Sequence, residues 1–299
     1  ILYTIYIILT IVEIIFLLIG KMPLFDTLCL SFGTAGTGGF GIKNDSIASY
    51  STYNQVVITV FMILFGINFN AYYLLLTKKV MQAAKNEEVR YYLGIIGLAI
   101  VAIAINTREM FTSFGRAFQQ AAFQVGSIIT TTGYATTDFN VWPVFSKTIL
   151  VILMFVGACA GSTGGGIKVS RVLILLKSVK KELKQYLHPS AVEKIKMDGK
   201  IVEHEVVRST NVFMVAYVLI FAVSVLLISL DEYDLVTNFT AVTATFNNIG
   251  PGLALVGPTG NFGFFSNFSK VVLIFDMLAG RLEIFPLLLL FSRETWKRF

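Results

Sequence analysis

Three short segments of this chain are built for main-chain chemistry: Thr37-Gly38-Gly39-Phe40-Gly41, Thr131-Thr132-Gly133-Tyr134-Ala135 and Asn248-Ile249-Gly250-Pro251-Gly252. Each is centred on glycine and none holds an acid or a base. Glycine permits the left-handed dihedrals that turn successive carbonyls toward one axis. A ring of such carbonyls can replace the water shell of a potassium ion, as in selectivity filters. The candidate filter residues are therefore Thr37, Gly38, Gly39 and Phe40, then Thr131, Thr132, Gly133 and Tyr134, then Asn248, Ile249, Gly250 and Pro251.

A fourth small-residue run, Gly157 to Gly166, interrupts an apolar stretch. Glycine costs roughly 1 kcal/mol against alanine inside a helix, so this run reads as an unwound loop at membrane depth. Its candidate gate residues are Gly157, Ala158, Gly161, Ser162, Thr163, Gly164, Gly165 and Gly166, with Lys168 just beyond. A phosphate-binding loop shares the Gly161-x-x-x-x-Gly166 spacing, but Ile167 takes the lysine position and no strand precedes it. Arg281 lies inside the last apolar run near Asp276 and Glu283. It either pairs with one of those acids to fasten helices or stands against the glycine loop, where its charge opposes cations. Cys29 and Cys159 read as packing, and His188 and His204 lack metal-ligand spacing. Glu13, within the first apolar run, reads either as a helix–helix fastener or as a lipid-boundary snorkeller, without a transport role.

The elements that must position these residues follow from hydropathy. The 299 residues are 55% hydrophobic and 14% charged, with a mean hydropathy of +0.74; soluble domains are about a quarter charged. Apolar runs fall at about 1–20, 55–76, 91–105, 148–157 continuing at 167–176, 211–230 and 271–291. A span needs roughly twenty apolar residues. Before each glycine-centred segment lies a shorter amphipathic stretch, whose C-terminal dipole end should point at the pore. Asn54, Ser146 and Ser269 each stand eight residues before a methionine, at 62, 154 and 277, which extends the likeness between units. The fold expected is an all-α integral membrane protein of repeated helix, pore helix, filter loop and helix units around a central pore. The units cover 1–79, 90–184 and 206–299, with a cytosolic linker at 185–205. The net charge of +6 gathers at 78–90, 168–208 and 293–298, the positive-inside pattern rather than a nucleic-acid surface. The polar segment 177–208 reads either as a lever for a cytosolic partner or as a plain connector.

Thr37-Gly-Gly-Phe40, Thr131-Thr-Gly-Tyr134, the run from Gly157 to Lys168, Asn247-Asn-Ile-Gly-Pro-Gly252 and Gly280-Arg-Leu-Glu283 together resemble the Trk/Ktr/HKT superfamily of potassium transporters, in particular the membrane subunit of bacterial Trk uptake systems. The resemblance covers essentially the whole chain. It implies four units around one pore, with potassium held at Gly39, Thr132, Gly133, Ile249 and Gly250. The three units here would be the second, third and fourth, and a first is expected upstream of Ile1. It further implies a gate at the 157–166 loop with Arg281 against it, a homodimer in the bacterial inner membrane, and a cytosolic regulatory subunit of TrkA type that binds NAD or ATP. Potassium is the cargo and no covalent cofactor is expected. The rival readings are a cation-coupled alternating-access symporter and a membrane enzyme, for which no nucleophile, base or metal cluster is evident.

Overall fold

The first apolar run forms α1 (Leu2–Ile19) and packs inside out: Ile7, Ile8, Ile11 and Ile15 are exposed, whereas Thr10 and Glu13 are buried. Apolar residues outward and polar ones inward is the arrangement of a helix in lipid, where exposed polar groups find no water. The computed structural model describes residues 2–189, 193–282, 284–290 and 292–296. Ile1, Lys297 and Arg298 lie outside them, and so does Glu283.

After α1 come α2 (Leu24–Ala35), α3 (Thr52–Phe65), α4 (Phe69–Leu76) and α5 (Val80–Ala84). The middle of the chain forms α6 (Glu87–Asn106), α7 (Phe114–Ile129), α8 (Val144–Val156) and α9 (Val169–Leu187). A two-stranded hairpin of β1 (Lys196–Met197) and β2 (Lys200–Ile201) leads into α10 (His204–Ile228), α11 (Leu235–Phe246), α12 (Asn267–Leu282) and α13 (Ile284–Leu289). The chain is thus an all-α membrane protein. By length and composition α1, α6 and the 204–231 helix can cross a bilayer, and the α3–α4 pair can form a bent fourth span.

Helix starts obey local chemistry. Ser113 accepts from the Arg116 N–H at the head of α7 (3.2 Å), and Asp234 from the Thr237 N–H at the head of α11 (3.0 Å). α2 and α8 begin directly after Pro23 and Pro143, where a missing N–H costs nothing.

The 55–76 run differs from its expected single span, for α3 and α4 meet at 89°. Gly66 ends α3, and Asn68 restarts the chain by accepting from the Asn70 N–H (2.9 Å). The Tyr92 hydroxyl occupies the space beside Gly66 and donates to Ile63 O (3.1 Å). A glycine stop followed by an asparagine cap therefore outweighs apolar continuity. The run at 167–176 is longer than its hydropathy, continuing as α9 to Leu187.

Among the described residues three apolar cores underlie the helices, and each borrows from another part of the chain. Leu30, Ile58, Met62 and Phe65 pack with Phe123 and Tyr134 from the middle of the chain. Ile103, Val125, Ile129 and Met154 pack with Ile249 and Leu253. Phe213, Tyr217, Phe246 and Leu273 pack with Ile167 of the glycine loop. This staggered sharing locks the three glycine-centred segments in a fixed relation.

Candidate functional site

Each short helix before a glycine-centred segment ends in the same cap. Gly38 N–H donates to Gly33 O (2.7 Å) and Thr37 N–H to Thr34 O (3.1 Å). Thr132 and Thr131 repeat this onto Ser127 O (2.9 Å) and Ile128 O (3.1 Å), and Ile249 and Asn248 onto Ala244 O (2.8 Å) and Thr245 O (3.0 Å). This is the Schellman pattern, which needs a left-handed residue just past the helix. Thr37, Thr131 and Asn248 supply it at φ of +50°, +59° and +56°. Two of the three are β-branched, for which that conformation is strained, and such strain gathers at functional sites. Two residues on, Gly39, Gly133 and Gly250 are left-handed again at +67°, +85° and +104°. Alternating handedness turns consecutive carbonyls the same way.

The segments stand edge to edge. A Cβ on Gly39 would lie 1.8 Å from Thr132 O, and one on Gly133 would lie 1.9 Å from Ile249 O. Beside Gly250 such an atom would meet nothing within 4 Å. Side chains brace the series from behind: the Tyr134 hydroxyl donates to Leu30 O (3.2 Å), and Ser127 Oγ donates to Tyr134 O (2.5 Å). Farther out, Asn140 and Ala254 bond reciprocally at 2.9 and 2.8 Å. Of the aromatic residues after glycine, Tyr134 is fully buried and Phe40 is 81% exposed.

The glycine loop touches all three segments. Gly165 N–H donates to Thr131 Oγ1 (2.6 Å), Thr37 Oγ1 donates to Thr163 O (3.0 Å), and a Cβ on Gly165 would sit 2.8 Å from Asn247 O. At the loop's neck Gly157 and Gly166, both left-handed, cross so closely that a Cβ on Gly166 would lie 2.8 Å from the Gly157 Cα. Lys168 Nζ donates to Gly164 O. Arg281 reaches across from α12, with Nη1 on Thr163 O (3.3 Å) and Thr37 Oγ1 (3.4 Å) and Nη2 on Gly36 O (3.1 Å). Its bonds thus run to the loop and the first segment. Asp276 instead accepts from Ser224 Oγ (2.7 Å), and Glu283, the other acid weighed as a partner, lies outside the described residues. A cavity of about 650 Å³ opens against the loop, bounded by Lys168, Arg171, Arg281, Tyr6 and Phe246. The helices α8 and α9 flank the loop, which argues against a phosphate-binding turn on a strand.

The sequence profile of the TrkH family, a cation transport protein, matches residues 1–298. The chain belongs to the TrkH family. It is 38% identical over 303 residues to the Trk system potassium uptake protein TrkH of Vibrio parahaemolyticus, covering 99% of this chain and 62% of that protein. Identity to its counterpart in Escherichia coli K12 is 35% over 300 residues, with the same coverages. The crystal structure of the potassium transporter TrkH from Vibrio parahaemolyticus superposes with a TM-score of 0.91 at 37% identity, covering 99% of this chain and 64% of that one. The chain therefore spans less than two thirds of these TrkH-family relatives.

One polar residue of this TrkH-family chain, Glu88, escaped the sequence reading. Glu88 is only 5% exposed and accepts from Ala160 N–H (2.6 Å), Ser170 N–H (3.2 Å) and Asn68 Nδ2 (3.1 Å). The signal available was an Asn86-Glu87-Glu88 helix start, which alone reads as capping. Glu13 is fully buried beside Thr34, and neither carboxyl oxygen has a hydrogen-bond partner among the described residues. An unsatisfied buried polar group costs about 1–3 kcal/mol. Glu13→Met should therefore raise the thermal midpoint in detergent and leave ion flux within about twofold of the parent. A lowered midpoint would show that the carboxyl is held by a partner.

Proposed function

We propose that this chain forms the walls of a channel-like potassium uptake pathway. The observation that carries this is the alternating left-handed backbone of three Schellman-capped segments set edge to edge above the glycine loop. Carbonyls at Gly39, Thr132, Gly133, Ile249 and Gly250 take over the ion's hydration, and the pore-helix C-termini add their dipoles. The units 1–79, 90–184 and 206–299 each give one wall, with 185–205 as the cytosolic linker. The open side next to Gly250 is where a further unit would close the ring. Gate residues Gly157, Ala158 and Gly161 to Gly166 obstruct the path from below, while Arg281 and Lys168 hold the loop and repel cations.

The names of the relatives support potassium as cargo, uptake as the direction and the Trk system as the assembly. In this reading the chain is a multi-pass transporter of the bacterial inner membrane and not an enzyme. It works as a homodimer under a cytosolic nucleotide-binding subunit of TrkA type. Single-channel recording of the full-length protein in lipid bilayers should show unitary potassium currents. Steady uptake without resolvable unitary events would favour the alternating-access symporter instead.

A further inference from the structure

The N-terminal N–H groups of α9 donate no hydrogen bond to the side chain of its own N-cap residue, Lys168. Glu88 of α6 serves them instead. One carboxylate oxygen takes the Ser170 N–H in the first turn of α9 and the Ala160 N–H inside the glycine loop, and the other takes Asn68 at the α3–α4 break. The same break is tied to the loop by its backbone: Cys159 N–H donates to Gly66 O (3.0 Å), and Phe69 N–H donates to Gly161 O (3.1 Å). A nearly buried carboxylate with three donors from three elements is a strong, directional anchor, and its charge suits the positive end of α9.

The residues just before Glu88 face the cytosolic hairpin. Its turn, Asp198-Gly199, has both residues left-handed at φ of +51° and +75°, a type I′ hairpin turn. Asp198 Oδ1 accepts from Glu87 N–H (2.7 Å) and Oδ2 from Asn86 Nδ2 (3.0 Å). Lys177 of α9 pairs with the Glu87 carboxylate and donates to Lys196 O (2.7 Å). The hairpin is exposed except for Met197, which packs on the middle core.

We propose that Glu88 is the positioning residue of the glycine loop, and that the 196–201 hairpin acts on the loop through Asp198 and the first turn of α6. A force on the hairpin shifts the α6 N-terminus, which carries the carboxylate holding both the loop and the start of α9. The proposal takes the loop as the gate, and so rests on the function proposed above.

Amide hydrogen exchange on the full-length protein in lipid nanodiscs reads loop position whether or not the loop gates ions. Glu88→Gln should speed exchange over 157–170 by about tenfold or more and leave 131–134 unchanged. Glu88→Asp, which keeps the charge on a shorter stem, should fall between. Asp198→Gly keeps the left-handed turn, removes the carboxylate and should speed the same window by a smaller factor. Rubidium efflux from vesicles should rise in the same order. Unchanged exchange in Glu88→Gln overturns the positioning role, as does loosening spread through 114–134. Unchanged exchange over 157–170 in Asp198→Gly overturns the hairpin link. Faster loop exchange with unaltered efflux upholds the positioning role and counts against the loop as a gate.

Discussion

Gly133→Ala should abolish potassium flux, by about a hundredfold or more, without removing the protein from the membrane. The added methyl would sit 1.9 Å from Ile249 O at a residue whose φ is +85°, so neither wall can keep its place. A displacement of about 1 Å is enough to spoil a preorganised site to this degree. Filter carbonyls must match an ion's shell and should be no more tolerant. Gly94→Ala on the lipid side of α6, where a methyl meets nothing within 4 Å, is the control and should behave as the parent. Rubidium uptake in cells lacking other potassium uptake measures both. Parent-like uptake and selectivity in Gly133→Ala would remove the filter role.

The second large effect runs the other way. Arg281→Ala should raise flux by about tenfold, because its guanidinium holds Thr163 O and Gly36 O and places a cation beside the proposed path. Two unit charges 4 Å apart interact by about 4 kcal/mol at an effective dielectric of 20. A third of that in the barrier accounts for the change. Arg281→Lys keeps the charge and loses the planar fork that reaches loop and segment together, so it should fall between. Flux at or below the parent level, with normal expression, would show that Arg281 fastens helices and does not set the barrier.

How much of this was legible in the sequence follows from the range of each interaction. The glycine-centred segments stood out because a Schellman cap and the next left-handed residue are local, fixed by a few neighbours such as Gly33 to Gly39. The glycine loop was visible because its composition cannot sustain a helix. Its place against Thr37, Thr131 and Asn247 came only from folding; for Arg281 the residues alone left two readings open, and its bonds to Gly36 O and Thr163 O are set by the fold. Glu88 could not be picked out, since its donors Ala160 and Ser170 lie 72 and 82 residues away. Two misses were avoidable. Gly66 followed by Asn68 is a stop and a restart, and Asp198-Gly199 between short alternating runs is the strongest local sign of a hairpin. Hydropathy windows average over both.

The three capped segments are covalently one polypeptide and chemically unlike: threonine, threonine or asparagine opens them, and phenylalanine, tyrosine or proline follows the glycine. In a pore made of identical subunits one codon change alters one ligand ring on all sides at once. In the pathway proposed here one codon alters a single side, so the field felt by a passing ion is open to adjustment in small, directional increments. Selection can thus trade throughput against discrimination by degrees, and laboratory evolution on this scaffold should find graded variants where a symmetric pore offers only abrupt ones.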